Sequence, residues 1–124
     1  MSHTVIFYVA DTAVSAAFYA ELLGRSPFEQ GPTFVAFMLD GGLTLGLWRK
    51  DEVMPLSENP AGACELGFKV GHDQISTMHA DWRDKGAAII LPPTELGFGT
   101  SFVALDPDGH RLRVYAMAGD MPQD

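Results

Sequence analysis

The chain has 124 residues, 47% of them hydrophobic, which suits one compact domain with a real core and excludes a disordered polymer. Its 16 acidic and 8 basic residues give a formal charge of −8, which argues against nucleic acid and anionic membranes as partners, since both need clustered Lys and Arg. A single cysteine, Cys64, excludes an internal disulfide or a thiolate cluster.

Thr4 to Val9 alternates as a strand does. Asp11 then stands in helix N-cap position, and Val14, Ala17, Phe18 and Leu22 recur on one helical face up to Gly24, a residue suited to a left-handed stop. Arg25 to Pro27 is the candidate for a short following strand. Phe34-Val35-Ala36 is the next strand, Asp40-Gly41-Gly42 a turn, and Leu43 to Trp48 the last strand of the first half. Residues 49–64, with Pro55, Pro60 and Gly62, form a connection and not a flexible linker, because one helix on a short sheet does not close a core alone.

The second half repeats the order. Glu65 to Val70 is a strand, and Asp73 a cap. Ile75, Met78 and Trp82 form a helical face, and Gly86 the stop. The Asp-to-Gly spacing is thirteen in both halves. Ala87 to Leu91 is the candidate strand after the helix, and Phe102-Val103-Ala104 matches Phe34-Val35-Ala36. The turn Asp106-Pro107-Asp108-Gly109-His110 leads into the alternating run Arg111 to Tyr115. In that turn Pro107 presets φ and Gly109 accepts a positive φ. Counting from the last Gly of each turn, Gly46 corresponds to Arg113 and Trp48 to Tyr115. The tail from Ala116 to Asp124 has no period and is expected to fray. The expected class is α+β: one domain, 1–124, of two βαβββ modules (about 1–48 and 65–116) whose curled mixed sheets surround a cleft.

Alternation also sorts the side chains. Val5, Phe7, Val9, Leu43, Leu45 and Leu47 face the helix in the first half, as do Leu66, Phe68, Val70, Leu112 and Val114 in the second. The opposite face carries Thr4, Ile6, Tyr8, Thr44, Gly46 and Trp48, then Glu65, Gly67, Lys69, Arg111, Arg113 and Tyr115. Aromatic surface with a few charges is the make-up of a small-molecule pocket.

Val9-Ala10-Asp11 with Ser15 and Phe18-Tyr19, then Asp106-Pro107-Asp108-Gly109, all inside a duplicated βαβββ chain, resemble the vicinal oxygen chelate superfamily. That superfamily includes glyoxalase I, extradiol dioxygenases, and bleomycin and fosfomycin resistance proteins. The resemblance implies four metal-ligand positions, which fall here at Thr4, Gly46, Glu65 and Arg113. Only Glu65 is a plausible ligand: Gly46 has no side chain, and the Arg113 cation repels an ion. No metal and no other cofactor are therefore expected. His3 neighbours the first position and points the other way unless the strand slips by one residue. Leu45-Gly46-Leu47-Trp48, Glu65-Leu66-Gly67-Phe68 and Phe98-Gly99-Thr100-Ser101-Phe102 resemble the phenazine antibiotic resistance proteins. This likeness implies a homodimer whose pockets, at or near the subunit interface, accept flat aromatic molecules.

The candidate ligand-binding residues are Tyr8, Thr44, Gly46, Trp48, Glu65, Phe98, Arg113 and Tyr115. Trp48 offers a face for stacking, and Tyr115 closes the other side or donates a hydrogen bond. Glu65 and Arg113 form an ion pair across the cleft, because a buried carboxylate needs a partner, or else Arg113 holds a ligand carboxylate and Glu65 an amine. Phe98, in a Gly-Phe-Gly loop, is a candidate lid. No catalytic residue is expected: His72, His79 and His110 stand near turns or on the helix, and no nucleophile–base pair or phosphate loop is legible. The leading expectation is a metal-free protein that sequesters a planar aromatic compound, possibly an antibiotic. The alternatives are a metal-dependent lyase, transferase or dioxygenase with a divergent site, and a metal-free enzyme with Glu65 as general base. No apolar run is of bilayer-spanning length, and Met1-Ser2-His3-Thr4 lacks the basic start of a signal peptide, so the expected location is the cytoplasm.

Overall fold

The computed structural model describes residues 2–60, 62 and 64–120. Two compact units divide the chain at Ala63/Cys64, and each carries one four-stranded mixed sheet. The class is the α+β arrangement expected from the repeat.

In the first unit β1 (His3–Val9), α1 (Thr12–Leu23), β2 (Glu29–Gln30), β3 (Phe34–Met38) and β4 (Leu43–Arg49) follow in order, and the sheet runs β1-β4-β3-β2. The crossover through α1 makes β1 and β4 parallel, while the tight turn between β3 and β4 makes that pair antiparallel. Asp11 caps α1 as its position requires: Oδ1 accepts from the N–H groups of Ala13 (2.9 Å) and Val14 (3.2 Å). Gly24 ends the helix at φ +65°, in the left-handed region. Asp11→Ala is expected to destabilise the fold by about 1 kcal/mol, read as a lower urea midpoint with an unchanged slope.

Three expectations for this unit need correction. The buried face of α1 is Thr12, Ser15, Ala16, Tyr19 and Leu22, whereas Val14 and Ala17 are exposed and Phe18 is half-buried. Apolar residues run right round this helix, so periodicity alone does not choose a face, and Tyr19 supplies the large buried side chain. The strand expected at Arg25–Pro27 lies instead at Glu29–Gln30, paired with Ala36 and Val35. Pro27 has no N–H for a ladder, and the Arg25 side chain donates to the Met38 carbonyl and to Asp40. The third correction concerns Phe34 and comes with the register below.

The second unit has β5 (Glu65–Lys69), α2 (Ile75–Asp84), β6 (Ala88–Leu96), β7 (Gly99–Leu105) and β8 (Arg111–Met117), ordered β5-β8-β7-β6. Asp73 is not the cap of α2. A 3-10 turn, His72–Gln74, precedes the helix, and the Gln74 side-chain oxygen accepts from the Gly71 N–H at 3.0 Å. Gly86 does take a positive φ, +89°, just past the helix. The strand β6 runs beyond the expected Leu91 through Pro92-Pro93, with register breaks around them, as an edge strand allows. The tail is structured further than expected, since Ala116 and Met117 complete β8; its last residues, 121–124, lie outside those described. Among the described residues no helix is long and apolar enough to cross a membrane.

Register aligns the two units residue by residue. Thr4 pairs with Thr44 as Glu65 pairs with Arg111, and Phe34 pairs with Trp48 as Ser101 pairs with Tyr115. Phe34 is thus the counterpart of Ser101, not of Phe102. The shared Phe-Val-Ala string is a one-residue coincidence, and in a strand one residue reverses the face. Phe102 is fully buried with Trp82 (rings 5.4 Å apart, edge-on), while Phe34 lies on the face away from the buried residues.

Candidate functional site

The eight candidate residues fall into two groups, one on each unit. In the first unit Tyr8 and Trp48 are paired across β1 and β4, with Gly46 and Thr44 further along the same face of β4. The Phe34 ring meets Trp48 edge-on, centroids 6.2 Å apart. It also covers Gly46: a Cβ built there would stand 2.7 Å from the Phe34 Cζ. Gly46 therefore offers no open surface, and its side-chain space is already filled by a residue the sequence reading placed elsewhere. Thr44 touches Met38 through its hydroxyl.

In the second unit Glu65, Phe98, Arg113 and Tyr115 come together with Leu96 around one open cavity of about 430 Å³. Strand pairing explains the assembly. Gly67 stands beside Arg113 and Lys69 beside Tyr115, so Glu65, Arg113 and Tyr115 share one face. Gly67 has no side chain, and the Tyr115 ring lies across it; a Cβ there would be 3.2 Å from Cε1. Phe98 meets Tyr115 edge-on at 6.1 Å. The Phe98 carbonyl accepts the Ala118 N–H at 2.8 Å, which ties its loop to the chain just past β8.

The polar side is an ion pair between the neighbouring strands β5 and β8, where the expectation set it across a cleft. Arg113 Nε donates to Glu65 Oε1 at 2.9 Å and Nη2 to Oε2 at 3.4 Å. Nη1 donates to the Ser101 hydroxyl at 3.0 Å, and Ser101 is fully buried. The exposures differ from the expectation of a buried carboxylate: the Glu65 side chain is 43% exposed and that of Arg113 20%. Sequence reasoning missed Ser101, Leu96 and Phe34. Counting back from the turn glycines Gly42 and Gly109 would have found Ser101 and Phe34 together.

A larger cavity of about 530 Å³ opens in the first unit near the start of α1. Two of its polar side chains, Thr12 and Arg49, are engaged by neighbouring groups. The Thr12 hydroxyl donates to the Pro32 carbonyl, and Arg49 is bonded to Asp51 (2.6 Å) and Glu52 (3.0 Å). The Asp51 hydrogen bond is the chief reason the Arg49 guanidinium titrates above its ordinary range. None of the eight candidates lines this cavity.

The four positions at which the resemblance places metal ligands do not fit a divalent ion. Thr4 and Gly46 supply no strong donor, Gly46 is roofed by Phe34, and Arg113 brings a cation bonded to the one carboxylate, Glu65. His3 does not rescue the set. The β1–β4 register is unbroken from His3 to Val9, so His3 shares the face of Val5 and Phe7. Among the described residues one group of three possible ligands clusters, Asp106, Asp108 and His110. It is the brace of the turn: Asp106 Oδ1 accepts from the N–H groups of Asp108 (3.0 Å) and His110 (2.8 Å), and Oδ2 lies 2.8 Å from His110 Nδ1.

A sequence profile of the glyoxalase/bleomycin resistance protein/dioxygenase superfamily matches residues 1–114. The chain is 31% identical over 115 residues to the phenazine antibiotic resistance protein EhpR of Enterobacter agglomerans, covering 88% of this chain and 86% of that one. Among solved structures, an Agrobacterium tumefaciens protein studied by NMR is 43% identical with a TM-score of 0.83, covering 96% of this chain and all of that one (100%). A glyoxalase/bleomycin resistance protein/dioxygenase from Nocardioides shares the fold at 19% identity, with a TM-score of 0.83 over 100% of this chain and 88% of its own.

Proposed function

The chain belongs to the glyoxalase/bleomycin resistance protein/dioxygenase superfamily, and on that premise we propose that it is a metal-free binding protein which sequesters a planar aromatic antibiotic of the phenazine kind. The observation that carries this reading is the cavity walled by the Tyr115 and Phe98 rings with an ion pair at its side. Its volume, about 430 Å³, falls within the range of small-molecule sites. Likeness to a phenazine resistance protein supports the ligand class. The poor fit of the donor set to a divalent ion supports binding without a metal.

Sequestration asks for affinity and stoichiometric protein, not for a reacting group. Tyr115 supplies the stacking face, Phe98 holds that ring edge-on, and Gly67 leaves room for it beneath. As part of this reading the chain acts in the cytoplasm as a homodimer that takes up one ligand per chain.

Calorimetric titration of phenazine into metal-stripped protein is expected to give saturable binding at one ligand per chain. Tyr115→Ala is expected to weaken it by about tenfold or more, equivalent to the ~1.4 kcal/mol of one stacked ring. Binding heat that appears only after Zn²⁺ or Mn²⁺ is added would overturn the proposal in favour of a metal-dependent enzyme.

A further inference from the structure

We propose that the ligand of the second-unit cavity is an uncharged planar aromatic bearing an N–H or O–H donor, and that Glu65 selects it by accepting that hydrogen bond. This rests on the binding reading above and adds which member of the class is held.

The argument starts from the ion pair. A carboxylate offers about four lone-pair sites, and Arg113 occupies two of those on Glu65. Glu65 lines the cavity and, at 43% against 20% side-chain exposure, is the more accessible partner. Arg113 is committed on three of its N–H groups, to both Glu65 oxygens and to Ser101. Two N–H donors remain on Arg113 and about two lone-pair sites on Glu65, and because Glu65 is the more exposed partner the accessible free capacity of the pair toward the cavity is that of an acceptor.

Charge decides between ligands that can use it. A ligand carboxylate has either to displace Glu65 from Arg113 or to sit beside it, like charge against like charge, in a chain whose formal charge is −8. A cationic amine meets the Arg113 guanidinium, which already neutralises Glu65. An uncharged amide, amine or phenol donor meets neither cost and leaves the bidentate pair intact. A site built to accept such a donor discriminates against an analogue that lacks it, because the acceptor is then covered without a partner.

The test is calorimetric titration at pH 8 with three probes: phenazine-1-carboxamide, phenazine-1-carboxylate and unsubstituted phenazine. The parent protein is expected to bind the carboxamide at least about tenfold more tightly than either of the others. Glu65→Gln keeps the shape at this half-exposed position and removes the charge. It is expected to weaken the carboxamide several-fold and to strengthen the carboxylate, erasing or reversing the preference. A carboxylate bound as tightly as the carboxamide by the parent protein overturns the proposal without any variant. So does a preference that Glu65→Gln leaves unchanged in folded protein. Either result leaves the sequestration reading standing, whereas failure of all three probes to bind overturns that reading and this proposal with it.

Discussion

Gly99→Ala is expected to remove about 3 kcal/mol or more of stability, a large share of the ~5–15 kcal/mol that holds a domain folded. Gly99 opens β7 with φ +151°, a conformation that L side chains rarely adopt. Its missing side chain is also where the next strand passes: a Cβ would stand 2.0 Å from the Ala116 carbonyl oxygen and 2.9 Å from the Ala118 nitrogen. Both obstacles are backbone, so no rotamer change relieves them. The added methyl must push β7 off β8 at the point where Phe98 and Tyr115 meet. Gly97→Ala is the control, since nothing lies within 4 Å of its Cβ position. Urea denaturation followed by circular dichroism compares the two. A Gly99→Ala midpoint within the error of Gly97→Ala would show that the close approach is not there.

Trp82→Ala is expected to cost about 3–5 kcal/mol by opening a cavity under the second sheet. Trp82 is 2% exposed and meets two rings edge-on, Phe68 at 5.6 Å and Phe102 at 5.4 Å. Those three side chains join α2 to β5 and β7, so the loss falls on the contact that fixes helix to sheet. Trp82→Phe keeps an aromatic ring there and is expected to lose markedly less. Paired denaturation curves check this, and equal midpoints for the two variants would sink it. The practical result is that Trp82→Phe, not Trp82→Ala, is the variant that isolates Trp48 as a fluorescent reporter.

The features that were legible in the sequence are those set by local chemistry. The Asp11 cap, the left-handed Gly24, the two glycine turns and the alternation of β4 and β8 each follow from residues within a few positions of one another. The shared face of Glu65, Arg113 and Tyr115 followed from alternation plus the repeat. What was not legible depends on partners distant in sequence. The face of α1 is chosen by the sheet it packs on, because Val14 and Phe18 are as apolar as the residues it buries. The counterpart of Phe34 is chosen by ladder register, and a tripeptide match concealed it until hydrogen bonding placed Ser101 there. The roof over Gly46 and the third bond to Arg113 both depended on that same register.

The pleat of β8 also bears on how the cavity beside it can change. Leu112, Val114 and Ala116 point one way and are fully buried, whereas Arg113 and Tyr115 point the other way into the cavity. Core-packing and cavity-lining residues thus occupy alternate positions of one strand, and substitution at Glu65, Phe98, Arg113 and Tyr115 can reshape the cavity without opening the core. The limits on that freedom are small residues: Gly67 under Tyr115, and Ser101 behind Arg113, are where a reshaped cavity would begin to compete with the fold itself.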